Sequence, residues 1–220
     1  MFNTKDTKRA IIFVNGHLPD LEPARRLIGP DDFLIAADGG TRHALALGLL
    51  PSIVIGDLDS LTPDDRRRLE ESGVEIRQYP PDKNETDLEL ALRLALDAGY
   101  CSILVLAALG GRLDQTLGNL SLLTAPSLAE VDVRLDDGIE EAFFVRKQYD
   151  VQGCPGDTVS LIPWGCLAEG VTTEGLRWPL RSETLYPDKT RGVSNALLAE
   201  TATISLRSGL LLVIHRHTDN

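Results

Sequence analysis

The chain has 220 residues, 43% hydrophobic and 25% charged, proportions of a globular protein with room for one large domain or two small ones. With 33 acidic and 22 basic side chains its formal charge is -11; such a surface repels nucleic-acid phosphates and excludes a non-specific DNA or RNA binder. Cys101, Cys154 and Cys166 lack metal-ligand spacing and read as free, partly buried thiols in a reducing cytosol.

The N-terminal MFNTKDTKRA lacks the apolar stretch of a signal peptide, and no apolar run reaches the roughly 18 residues of a membrane span. A cytoplasmic protein is expected. Ala10–Val14 reads as a first strand ending in Asn15-Gly16, followed by a short helix over Leu21–Ile28 that stops at Gly29-Pro30. Phe33–Ala37 is a second strand, closed by Asp38-Gly39-Gly40. Thr41–Leu47 reads as a helix, with Gly48 in the left-handed position after it. Ile53-Val54-Ile55 is a buried strand that runs into Gly56-Asp57-Leu58-Asp59-Ser60. Thr62, Pro63, Asp64 and Asp65 then give a helix start: an N-cap, a proline at N1 and acids in the first turn.

Val74–Gln78 is a fourth strand. The loop Tyr79–Asp87 leads into a helix with Leu88, Ala91, Leu92, Ala95 and Leu96 on one face. Ser102–Ala107 is a fifth strand, followed by Gly110-Gly111, a helix over Thr116–Leu123 and a sixth strand over Val131–Leu135. Strands alternating with helices imply a parallel sheet with right-handed crossovers. After about residue 138 the pattern changes to short strand-like runs: Phe143–Arg146, Thr158–Ile162, Gly170–Thr173, Thr201–Leu206 and Leu210–Ile214. Pro155-Gly156-Asp157 and Ser208-Gly209 read as hairpin turns. The fold class is therefore α/β: an N-terminal parallel-sheet, Rossmann-like domain over residues 1–138, then a C-terminal all-β sandwich over 139–220.

Acidic or glycine-rich clusters follow the strands of the first half, and a parallel sheet puts all its strand C-termini along one edge, where such sheets take ligands. Asp57 and Asp59, two apart in extended backbone, aim carboxylates to one side, a pair of hard oxygen ligands suited to Mg2+. The same stretch also reads as a turn capped by aspartates. Asp87 serves either a metal or the start of its helix, where Asn84 and Asp87 form a variant capping box. Lys83 and Arg112 supply positive charge for phosphate, and Asn84 and Thr86 offer neutral contacts. Gly111 lets backbone approach a ligand. Asp114 holds Arg112, contacts a ligand or caps a helix. The chain has no Gly-x-x-x-x-Gly-Lys-Ser/Thr and no Gly-x-Gly-x-x-Gly after the first strand, which counts against Walker-type and dinucleotide-binding readings. His215 and His217 read as surface residues at a strand end. Trp164 and Trp178 read equally as ligand walls or core.

In order, Ala37-Asp-Gly-Gly40, Ile55-Gly-Asp-Leu-Asp-Ser60, Asp82-Lys-Asn-Glu-Thr-Asp-Leu-Glu-Leu90 and Leu109-Gly-Gly-Arg-Leu-Asp-Gln115 resemble the thiamine pyrophosphokinase (thiamine diphosphokinase) family. Ser160–Pro163, Gly170–Leu180, Gly192-Val-Ser-Asn195 and Gly209–Ile214 resemble its β-domain. The resemblance implies a Mg2+-dependent homodimer that transfers a pyrophosphoryl group from ATP to the thiamine hydroxyl, with active sites at the subunit interface. By position it implies Asp57, Asp59 and Asp87 as metal ligands that serve catalysis with Arg112. Asp38, Gly39, Lys83, Asn84, Thr86, Gly111, Arg112 and Asp114 would meet ATP, and Ser194 and Asn195 the thiamine. Asn84 stands where members often carry a carboxylate, and Ala196 and Leu197 where they often carry Glu or an aromatic residue. Transfer to another hydroxymethyl heterocycle, such as a pterin, and a non-catalytic nucleotide-binding module are the alternatives.

Overall fold

A computed structural model describes residues 8–18 and 20–218, so the reading of the N-terminal segment falls largely outside the described residues. The chain separates into two compact units, 1–138 and 139–220. No described helix is long and apolar enough to cross a membrane.

In the first unit the strands are β1 (Arg9–Phe13), β2 (Phe33–Ala37), β3 (Ile53–Gly56), β4 (Glu75–Gln78), β5 (Ser102–Leu106) and β6 (Asp132–Asp136). Between them run helices α1 (Leu21–Arg26), α2 (Gly40–Ala46), α3 (Pro63–Glu71), α4 (Asp87–Asp97) and α5 (Leu113–Leu122). The strands lie in the order β6-β5-β1-β2-β3-β4. Every pair is parallel, for instance Ile12 opposite Ile35 and Val105. The mixed α/β class expected from the sequence is what is found. β1, β2, β3 and β5 are apolar almost without interruption because a parallel sheet covered by crossover helices is buried on both faces. Alternate residues Ile11, Phe13, Leu104 and Leu106 share one face and pack on Ala44 of α2 and on Ile28, which follows α1. From β1 the chain winds outward through β2, β3 and β4, then returns to place β5 on the other side of β1. The gap between β1 and β5 is thus a topological switch point, which opens a crevice beyond the strand ends.

Helix starts follow the caps. Thr62 accepts the N–H of Asp65 and Pro63 sits in the first turn of α3. At α4 the cap is Thr86, which accepts the N–H of Glu89 at 3.2 Å, and not the Asn84–Asp87 box, one of the two readings of Asp87. This frees Asp87, at the first helical position, for other work. Helix α5 starts at Leu113, earlier than apolar spacing suggests, because Leu113 and Leu117 are exposed and give no periodic signal.

The second unit contains β7 (Glu140–Val145), β8 (Gln148–Gln152), β9 (Thr158–Pro163), β10 (Ala168–Glu174), β11 (Glu183–Leu185), β12 (Asn195–Ala196), β13 (Thr201–Ser205) and β14 (Leu211–Arg216). One antiparallel set runs β12-β9-β14-β7 and another β11-β10-β13-β8. Alternate residues of both sets, among them Phe143, Val145, Leu161, Val213, Ala202 and Ile204, form one apolar core. The expected hairpins are corrected here. The turn at 155–157 joins β8 to β9 and that at 208–209 joins β13 to β14, and in each case the two strands belong to different sheets. Local turn chemistry signals a reversal, but not which strand receives the hydrogen bonds. The cysteines are also corrected: all three are exposed, because each lies in a bend or connection rather than a strand.

Candidate functional site

A cavity of about 730 Å3 lies at the strand C-termini of the first unit. Its lining comes from four strand ends and a helix start: Val14–His17 after β1, Ala37-Asp38 after β2, Asp57 after β3, Ala108 and Gly110–Arg112 after β5, and Lys83, Glu85–Leu88 leading into α4.

Close packing of these loops needs residues without side chains and residues in rare conformations. A Cβ on Gly16 would fall 2.0 Å from the Ala107 carbonyl oxygen, and one on Gly40 2.0 Å from that of Phe13. Asp38, Leu58 and Ala107, each just past a strand end, have positive φ of 45°, 67° and 62°. Strain of this kind, on the order of 1–3 kcal/mol per residue, persists only where the surroundings enforce it, and it gathers at functional sites.

The acidic residues converge. Carboxylate oxygens of Asp38, Asp57 and Asp59 lie within 4.8 Å of one another. The sequence reading drew Asp57 and Asp59 together through extended backbone. In the structure Leu58, left-handed and buried, makes the turn, and the Asp59 N–H donates to Asp57 Oδ1 at 3.2 Å. A turn and a ligand cluster are therefore one object. Asp38 is 7% exposed; its Oδ2 accepts from the Ser60 hydroxyl at 2.6 Å, and its Oδ1 is buried without a hydrogen-bond partner among the described residues. Such an orphaned oxygen in an all-carboxylate set fits a hard divalent cation, whose coordination would satisfy it.

Asp87 faces the same space. Its Oδ1 is 2.9 Å from Lys83 Nζ in an ion pair, yet lacks an aligned hydrogen bond. Burial pushes the Asp87 carboxyl above the usual range; Lys83 opposes this, while the charges of Asp38 and Asp57 add to it. Lys83 is itself nearly enclosed, its side chain 11% exposed, so the pair is screened little.

Other expected residues sit at the margin. Arg112 reaches the cavity, but its guanidinium lies along Asp114, Nη2 to Oδ2 at 2.5 Å and Nε to Oδ1 at 3.1 Å, holding that carboxyl below its usual range. Of the three roles open to Asp114 in the sequence, holding Arg112 is the one found. Gly111 and Thr86 line the cavity, while Gly39, Asn84, Asp59 and Asp114 do not. Ser194 and Asn195 belong to the second unit. Ser194 is exposed with φ of 59°. The buried Asn195 amide is engaged with main chain: Oδ1 accepts from Trp178 N and Ala196 N, and Nδ2 donates to Trp178 O. Trp178 is 50% exposed and so is not core, and Trp164 packs edge-on against Phe144.

Sequence reading gave no role to Asn15, His17, Gln115 and Asn119 in the lining, or to Arg42, His43 and Ser60 behind it, although Ser60 and Gln115 lie within the strand-end clusters. Arg42 Nη2 donates to Asn15 Oδ1 at 2.5 Å. Burial pushes the His43 imidazole down, and its Nε2 lies 3.0 Å from the Gly16 carbonyl oxygen. The neutral ring can donate there and hold the loop. Asn15-Gly16 ends a strand just as Asp38-Gly39 does, so the strand-end rule contained this signal.

A second cluster corrects the reading of His215 as a surface residue. His215 is fully buried, its Nδ1 3.0 Å from Glu141 Oε1 and its Nε2 3.0 Å from Asp157 Oδ2. Asp157 Oδ2 also accepts from Cys154 N, and Oδ1 accepts from the N–H and hydroxyl of Thr218. Its lone pairs are engaged, so the group is an ion cluster rather than a vacant set of ligands.

The first unit is that of an open α/β protein with a polar, acid-lined ligand cleft at the carboxyl edge of a parallel sheet. Comparison with known proteins narrows the class. The family described as "Thiamin pyrophosphokinase, catalytic domain" matches residues 24–158, and "Thiamin pyrophosphokinase, vitamin B1 binding domain" matches 145–211. Thiamine pyrophosphokinase of Bacillus subtilis is 33% identical over 84% of this chain and 87% of its own length. Thiamine pyrophosphokinase 1 of Oryza sativa is 26% identical over 93% and 86%. The crystal structure of the Bacillus subtilis protein superposes with a TM-score of 0.86 at 29% identity, covering 97% of this chain and 100% of that one. The yeast structure, at 17% identity and a TM-score of 0.80, shares the fold. The chain belongs to the thiamine pyrophosphokinase family.

Proposed function

We propose that this protein is a thiamine diphosphokinase, transferring a pyrophosphoryl group from ATP to the hydroxyl of thiamine and releasing AMP. The observation that carries the reading at the level of the site is the convergence of Asp38, Asp57 and Asp59 beside a buried, unpartnered carboxylate oxygen, in a protein of this family. In the reaction the thiamine oxygen bonds to the β-phosphorus, the α–β phosphoanhydride bond breaks, AMP departs and the hydroxyl proton is lost. A highly anionic chain must be brought to a neutral alcohol, so positioning and charge compensation dominate.

Asp38, Asp57 and Asp59 would hold Mg2+, with Asp87 beside them. Bound there, Mg2+ supplies charge neutralisation and alignment of the phosphates. Lys83 supplies a positive charge held in place by its pairing with Asp87. Arg112, at the mouth, can turn from Asp114 to a phosphate, an exchange between exposed partners that costs little. The neutral His43 and Arg42 hold the Asn15–His17 loop against the opposite wall. The strained backbone at Asp38 and Leu58 fixes the carboxylates before ligand arrives, so less ordering is needed on binding.

In this reading residues 1–138 form a Rossmann-like catalytic domain and 139–220 a β-sandwich that brings Ser194 and Asn195 to thiamine in a homodimer. The vitamin B1 binding match spans both residues. With the Asn195 amide engaged by the Trp178 main chain, its role there is to shape the exposed turn carrying Ser194. Three exposed, unpaired cysteines suit the reducing cytosol.

The test is to incubate the protein with ATP, Mg2+ and thiamine and resolve the products. AMP with thiamine diphosphate is expected. ADP with thiamine monophosphate, or turnover of a pterin alcohol in place of thiamine, would overturn the assignment.

A further inference from the structure

Ser60 stands apart from the carboxylates and contacts two of them. Its hydroxyl is 2.6 Å from Asp38 Oδ2 and 3.2 Å from Asp59 Oδ1. A hydroxyl has one proton, and the shorter contact takes it.

The main chain around Asp38 is already fixed. Its N–H donates to the Ile55 carbonyl at 2.8 Å, its carbonyl accepts the Thr41 hydroxyl at 2.8 Å, and Gly56 packs against its Cβ. What the main chain leaves free is rotation of the carboxylate. Among the described residues Ser60 is the side-chain donor that stops it, holding Oδ2 and leaving the buried Oδ1 without a partner. A side chain this enclosed gains nothing from water, so an unfilled oxygen is costly unless a ligand completes it.

We infer that Ser60 is a positioning residue for the divalent cation: its hydroxyl aims the Asp38 carboxylate, spanning the ends of β2 and β3, so that Oδ1 is presented to the metal. This rests on the proposed function of the same site. Outer-shell partners of this kind set metal affinity by orienting a ligand rather than by touching the ion.

The experiment measures binding of Mn2+, alone and without nucleotide, to the full-length protein by calorimetry and by the electron paramagnetic resonance of free Mn2+. Wild type, Ser60→Ala, Ser60→Thr and Asp57→Asn are compared, with thermal unfolding in chelator as the control for folding. Ser60→Ala is expected to weaken Mn2+ binding about 10–100-fold while still unfolding cooperatively in chelator, at a lower midpoint because Asp38 Oδ2 loses its donor; Ser60→Thr, which keeps the hydroxyl, stays within a few-fold of wild type. Mn2+ affinity of Ser60→Ala equal to wild type overturns the inference, as does equal loss in Ser60→Ala and Ser60→Thr. Absence of Mn2+ binding to wild type, or its persistence in Asp57→Asn, overturns the metal site itself, a separate and prior failure.

Discussion

Replacing His215 with leucine leaves two enclosed carboxylates, Glu141 at 6% and Asp157 at 1% exposure, without the imidazole between them. Removing one partner of a buried ion cluster costs about 3–5 kcal/mol, because the remaining charges stay desolvated. The loss depends on pH. Burial alone would lower the His215 pKa, but hydrogen bonds and charge from Glu141 and Asp157 more than reverse it, so it lies above the ordinary 6.5. A raised folded value means that the stabilisation is complete below the unfolded value and is lost as pH rises through the folded one. Asp157 sets the acid limb. Burial would raise it, yet the Cys154 and Thr218 donors with His215 hold it far below its ordinary 3.8, so its contribution is present above 3.8 and lost as pH falls through the depressed value. The two limbs leave a plateau between about 3.8 and 6.5.

His217 is a further titratable group nearby among the described residues, its Nδ1 3.8 Å from Asp157 Oδ2 and its ring centroid 4.4 Å from that of His215. Urea unfolding of wild type, His215→Leu and His217→Gln at about pH 6 and about pH 9 measures the effect. Wild type should lose stability between the two, His217→Gln should follow it, and His215→Leu should be flatter, with its largest deficit at the lower pH. Parallel pH dependence in wild type and His215→Leu would refute the reasoning.

Asp57→Asn should lower turnover about 100-fold or more while urea unfolding stays near wild type, since the residue is half-exposed and its charge serves ligand rather than core; near-normal turnover removes Asp57 from the metal site. Gly56→Ala should cost on the order of 1–3 kcal/mol in urea and reduce activity as well. Gly56 has φ of 147°, and a Cβ there meets Asp38 Cβ at 2.9 Å and Asp87 Oδ1 at 3.2 Å, so unchanged activity would show that the carboxylates do not need their present placement. Thr86→Ala should destabilise by about 1 kcal/mol through loss of the α4 cap, and Thr86→Ser should recover most of it; equal loss in both would assign the effect to the methyl group.

Much of the site could be read from sequence because a parallel sheet turns chain position into spatial position. Each strand's polar tail ends on the same edge, so Asp38, Asp57, Asp87 and Gly111 are brought together from separate stretches without any local signal that they meet. The same logic extended to Asn15. Residues that act through others were not legible. Arg42, His43 and Ser60 matter through what their polar atoms reach across loops, and no spacing in one strand or helix encodes that. Asn195, which the family resemblance implies at the thiamine, has its amide engaged by the Trp178 main chain, a local closure of hydrogen bonds that no sequence pattern announces.

The alternation of buried strand and helix, the cap at Thr62 and the break in pattern near residue 138 are written locally along the chain. These follow from periodicity, burial on both faces and backbone chemistry, which are local. Three features depend instead on long-range packing. The turn at Leu58 brings Asp57 and Asp59 to Asp38 by left-handed backbone, a conformation enforced by packing. The turns of the second unit join strands of different sheets, because pairing is chosen by distant partners. His215, a polar residue near the end of an apolar strand, is buried because Glu141, 74 residues away, and Asp157, 58 away, arrive to satisfy both ring nitrogens.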